Sequence, residues 1–81
     1  MDKIEYEMYK SLELKYKAEI QECKTTLLIY FKNSVGIGEH PQQLEEMDKL
    51  LDKIASSQDK LDQLIKHFKD FSEPQQSTST S

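Results

Sequence analysis

Few residues in this chain could carry out chemistry: two histidines, one cysteine, fifteen carboxylates and a Gly-X-Gly turn. His40 follows Glu39, and His67 lies far along the next segment. Helical zinc sites use two ligands four residues apart on one face. Neither histidine has such a partner, so both read as solvent-facing or capping residues and no metal is expected. Cys23 lacks a Cys-X-X-Cys partner, and no local His or Asp is placed to activate it. A nucleophilic thiolate needs an electropositive neighbour, so Cys23 reads as a buried structural thiol that alkylates slowly. Carboxylate pairs such as Glu45/Glu46 and Asp59/Asp62 are frequent. Acid–base catalysis needs such groups in a partly desolvated cleft with separated pKa values, whereas on a helix surface they solvate. Glu45–Lys49 and Asp62–Lys66 are favourable i, i+4 pairs; Asp48–Asp52 is not. The Gly36-Ile37-Gly38 segment follows a helical pattern and precedes Glu39. A phosphate loop would need a preceding strand and a terminal Lys or Ser/Thr. No catalytic residue, cofactor site or small-molecule substrate site is expected, and the chain reads as a non-enzyme.

Charge narrows the partners further. The net charge is −4, and all eleven basic residues are lysine. Bidentate guanidinium recognition of phosphate is therefore absent, and there is no basic footprint for nucleic acid. The first segment is charge-neutral, so its aromatic residues read as core or interface rather than a base-stacking platform. The longest apolar run is Leu27-Leu28-Ile29-Tyr30-Phe31, far short of a membrane span. A membrane-surface helix would concentrate lysine on its polar face, but glutamate is as common there. The single cysteine fits a reducing compartment. A soluble, cytoplasmic protein is expected.

The elements that position these residues follow from periodicity. At 81 residues the chain forms one domain, too small for a deep core unless its helices pack regularly or it oligomerises. Residues 1–33 form a first helix, 34–41 a turn, 42–71 a second helix and 72–81 a disordered tail. In the first helix, Tyr6, Tyr9, Tyr16, Ile20, Cys23, Leu27 and Tyr30 recur at helical spacing on one face. Glu13 interrupts that face, and Ile4, Met8 and Leu12 add a second short stripe. Only Thr25 to Phe31 has strand-like composition, and no neighbouring segment offers a partner strand. The turn holds both glycines. Gly36 can take the left-handed conformation that ends a helix, Gly38 adds a permissive residue, and Pro41 suits a first helical position. His40 would be the N-cap and Gln43 would fall three positions into the helix. The tail has no aliphatic or aromatic residue, and Pro74 marks the helix end.

The second helix has the cleaner pattern. With Leu44 at heptad position a, Leu51, Gln58 and Ile65 share that row. Met47, Ile54, Leu61 and Phe68 fall at d, while Leu50, Ser57, Leu64 and Phe71 fall at g. An a/d seam serves one neighbour, and the added g row calls for a second. The expected fold is all-α: an antiparallel two-helix hairpin, coiled-coil-like, dimerising into a four-helix bundle. Counting outward from the turn brings Gln58 level with Tyr16 and Ile20. A Tyr16–Gln58 polar layer would then set register at some cost in stability.

The runs Leu14-Lys15-Tyr16-Lys17-Ala18-Glu19-Ile20 and Val35-Gly36-Ile37-Gly38-Glu39-His40-Pro41, followed by a Leu/Ile heptad helix, resemble small proteins of T4-like tailed phages of marine bacteria. The resemblance implies a viral accessory or virion component acting in a bacterial cytoplasm. No functional residue transfers with it.

The function expected is a non-catalytic structural or protein-interaction module, with itself or another protein as partner. The surface left over by the hairpin is expected to comprise Tyr6, Tyr9 and Leu12 with Leu50, Leu64 and Phe71. The alternative is a regulator that binds a host or viral enzyme through this face or through the acidic second helix.

Overall fold

In a computed structural model, residues 3–33 and 40–72 are described. Helix α1 spans Lys3–Lys32, helix α2 spans His40–Phe68, and a 3-10 turn covers Lys69–Phe71. Among the described residues there is no strand. The expected turn residues Gly36 and Gly38, and the tail from residue 73, lie outside the described residues. Pro41 belongs to the backbone of α2, which begins at His40, two residues earlier than expected.

The two helices pack along each other, and the 3-10 turn touches both. Three contacts show that they run antiparallel. Gln43 reaches Tyr30, Ser57 reaches Glu19, and Lys60 reaches Tyr16. As α2 advances, its partners on α1 move back toward the N-terminus. Chain composition favours both helices, which are rich in Leu, Glu, Lys and Gln. The strand-like stretch of α1 is helical, and local side-chain bonds accommodate its threonines. Thr26 Oγ1 donates to the Glu22 carbonyl at 3.0 Å, one turn back. Gln21 Nε2 donates to Thr25 Oγ1 at 3.2 Å.

The last carbonyls of a helix lack intrahelical donors. At the end of α1 the Asn33 N–H donates to the Ile29 carbonyl at 3.0 Å. The Tyr30 carbonyl accepts from Gln43 Nε2 at 3.3 Å, which ties the first turn of α2 to the last turn of α1. At the other end, Phe68 leaves α geometry at φ −129° and ψ 23°. The chain tightens there, and the Ser72 N–H closes onto the Lys69 carbonyl at 2.9 Å. The Phe68 and Phe71 rings stack at 6.4 Å, with His67 edge-on to Phe68 at 6.3 Å.

The seam on α1 follows the expected row. Tyr9, Cys23 and Leu27 are buried, and Tyr6, Tyr16, Ile20 and Tyr30 are half-buried. On α2 the seam is rotated from the expected one. Met47, Ser57, Leu61 and Leu64 are buried, and Leu50 and Ile54 are half-buried. These are the d and g rows. The whole a row, Leu44, Leu51, Gln58 and Ile65, faces solvent. Phe68, expected at d, is also exposed.

Hydrogen bonding accounts for the choice of rows. Turning the a row inward would bury Gln58, whose amide has two donors and an acceptor to satisfy. Turning the g row inward buries Ser57 instead, at 3% exposure. One contact satisfies its hydroxyl: Ser57 Oγ donates to Glu19 Oε1 at 2.8 Å. Gln58 stays at the surface and donates to Asp62 Oδ1 at 3.0 Å.

Candidate interaction surface

The polar contact across the seam is therefore Ser57–Glu19, not Tyr16–Gln58. Tyr16 is half-buried one turn earlier on α1, where Lys60 Nζ lies 5.9 Å from its ring centroid. That distance permits a cation–π attraction. The Ser57 hydroxyl holds the Glu19 carboxyl below its ordinary pKa, aided by Lys15, Lys53 and Lys60. Lys15 also pairs directly with Glu19 at 3.8 Å. One side of the hairpin thus carries a charge-assisted link between the helices.

Glu13, which interrupts the tyrosine row, sits at the edge of the seam. Its two oxygens are held by Lys10 and Lys17, each at 3.2 Å. The Lys10 hydrogen bond is the main reason the Glu13 carboxyl titrates below its usual range and the Lys10 ammonium above its own. A carboxylate at a seam position is tolerated because both oxygens are engaged from its own helix. On α2, Lys49 pairs with Glu46 at 3.5 Å, while Asp62 accepts from Gln58.

The groups considered for chemistry are dispersed. Cys23 is a buried free thiol. His67 Nε2 lies 3.1 Å from Gln63 Oε1 on the surface of α2. Among the described residues, no group of three His, Cys, Asp or Glu is placed to hold a metal ion. No helix there is long and apolar enough to cross a membrane.

The expected leftover surface needs correction. Tyr9 and Leu64 are buried inside the hairpin, at 5% and 9% exposure, Tyr9 with the tyrosine row of α1 and Leu64 because the rotated seam of α2 takes in the g row. Tyr6 and Leu50 are half-buried at its edge, and Leu12 and Phe71 remain exposed. The larger uncovered surface is one the heptad assignment had placed inside. Leu44 and Leu51 are 63% and 54% exposed, with Ile65 at 39% on the same row. Leu28 is as exposed as Leu51. The three-row stripe itself was the signal for a second neighbour. A helix with apolar rows at a, d and g exceeds what one neighbour covers, but the stripe alone does not say which row is left out.

The chain matches no protein-family model, and no curated protein or solved structure is significantly similar to it.

Proposed function

We propose that this chain is a non-catalytic structural or protein-interaction module that acts by associating with a second copy of itself, two hairpins forming a four-helix bundle. The observation that supports this reading is the balance of apolar side chains. Among the described residues, six apolar side chains are buried, whereas twelve large ones are exposed, and no large side chain is fully buried. Exposed leucines scattered singly are ordinary. A heptad row that exposes Leu44, Leu51 and Ile65 beside an occupied seam, with Gln58 as its one polar member, is an apolar strip of the kind that marks association sites. Two helices alone give a thin core, and oligomerisation is a common way for chains of this size to gain stability.

Sedimentation equilibrium at tens of micromolar tests the reading. The expected mass is twice 9.5 kDa. A folded species at the single-chain mass over that range would overturn it. A helical chain that sediments as a dimer only together with a second, different protein would move the function to hetero-association.

A further inference from the structure

We infer that the second copy covers one particular face of the hairpin, and that the two hairpins lie with their turns at the same end, α1 of each against α2 of the other. The inference rests on the self-association proposed above and specifies its geometry.

The hairpin has two broad faces, one on each side of the seam. Glu19, Ser57 and Lys60 mark the first, with Lys15 and Lys53 beside them close enough to act on the Glu19 carboxylate. At about 100° per residue, the a row of α2 lies on the opposite side of the seam from Lys53 and Lys60. Leu44, Leu51 and Ile65 thus belong to the second face. The matching side of α1, opposite Glu19, carries Lys3, Lys10, Lys17 and Lys24 at strict heptad spacing, the middle two sharing the single charge of Glu13, so the row stays net positive, with Leu28 continuing the outward side near the turn. Beyond the leucine row, the outer edge of α2 bears Asp48 and Asp62, with Ala55 between them and Lys69 at its end.

A two-fold axis can bring this face onto its copy in two ways. An axis along the helices stacks α1 on the other copy's α2, antiparallel, with the turns together. An axis across the helices stacks α1 on α1 and α2 on α2, with the turns apart. Charge separates the two. Stacking α1 on α1 sets the lysine row against itself, and stacking α2 on α2 sets acidic edge against acidic edge. Stacking α1 on α2 sets lysines against aspartates in both halves of an isologous interface. The apolar residues make the same choice independently. Leu28, Leu44 and Leu51 all lie toward the turn end of the hairpin, whereas Gln58 breaks the row at its middle. With the turns together, the apolar ends of both copies meet. With the turns apart, Leu28 faces the other copy's Lys3, Leu51 meets the Gln58 region, and Leu44 faces the far end of α2 with Ile65 and Lys69.

Double electron–electron resonance reads the arrangement. Single spin labels are placed at Glu45, Asp52 and Lys66, which share one outward heptad row of α2 and are exposed. Buried Cys23 is left unlabelled, and a Cys23→Ala background repeats the set. With the turns together, the intermolecular distance is expected to be the same at all three sites to within about 5 Å, because the axis parallels the helices. With the turns apart, Glu45 and Lys66 would give distances longer than Asp52 by on the order of 10 Å, from the 1.5 Å rise per residue. That result overturns the arrangement and leaves the dimer standing. No intermolecular distance at any site would overturn both. Leu51→Gln is expected to weaken dimerisation at least tenfold. A dimer that keeps its affinity in Leu51→Gln uses another face and contradicts the inference.

Discussion

Two rows of apolar residues run side by side along α2, and they have different fates. Met47, Ile54 and Leu61 lie against α1, whereas Leu44, Leu51 and Ile65, three residues earlier or four later, face outward. The residue types are alike and both rows keep heptad register, the outward one with Gln58 between Leu51 and Ile65. Only a rotation about the helix axis separates the covered row from the uncovered one. Apolarity in a helix stripe therefore gives the number of neighbours the helix can use. Which neighbour takes which row depends on the polar residues interleaved with it. Here Ser57, satisfied by Glu19, goes in, and Gln58 goes out.

Substitutions in the two rows should separate them. The largest effect is expected at the covered row. Leu61→Ala removes a buried side chain and should cost about 2–5 kcal/mol of unfolding free energy, read by urea denaturation at any protein concentration. The same loss at exposed Leu44 would merge the two rows and defeat the distinction. In the uncovered row, Leu51→Gln should cost about 1–3 kcal/mol, and only at concentrations where the chain is dimeric. At high dilution its unfolding curve should coincide with that of the unsubstituted chain. Gln58→Leu completes the uncovered row and should tighten association by about 1 kcal/mol. If Gln58→Leu instead destabilises the hairpin, Gln58 contributes more than a surface bond to Asp62.

The smallest expected effect concerns two carboxylates, Glu19 on the first face and Glu13 at the edge of the seam. Glu19 and Glu13 titrate below the ordinary carboxylate range when folded. Their stabilising contributions are present above the unfolded carboxylate pKa, about 4.3. They are lost as the pH falls through the lower folded values, because the unfolded chain then takes up protons first. Stability should decline on acidification below about pH 5. Glu19→Gln should flatten that decline, because glutamine still accepts from Ser57 and carries no charge to titrate. An unchanged acid limb in Glu19→Gln would remove Glu19 from the link between the helices.

Much of the fold is legible in the residues. The glycines and the turn proline are confined to one short stretch, so nothing interrupts the helices on either side. The α1 seam is also legible, down to the position of Glu13, because its tyrosines and Leu27 form a single row. The seam of α2 is legible as a three-row stripe and no further. The choice among rows depends on hydrogen-bond partners that lie 38 residues apart in the chain, as Ser57 and Glu19 do, and local periodicity carries no record of them. The same long-range contact moved the candidate interaction surface. Leu64 went into the hairpin with the g row, and Leu44, Leu51 and Ile65 came out, while Tyr9 went in with its own row on α1.

The claim at the centre is that the uncovered row is an interface between two copies. Thermal unfolding followed by circular dichroism over a hundredfold range of chain concentration tests it most directly. A dimer stabilised through that row requires the midpoint to rise with concentration, and Leu51→Gln should abolish the rise. A midpoint that stays constant across the range for the unsubstituted chain would contradict it.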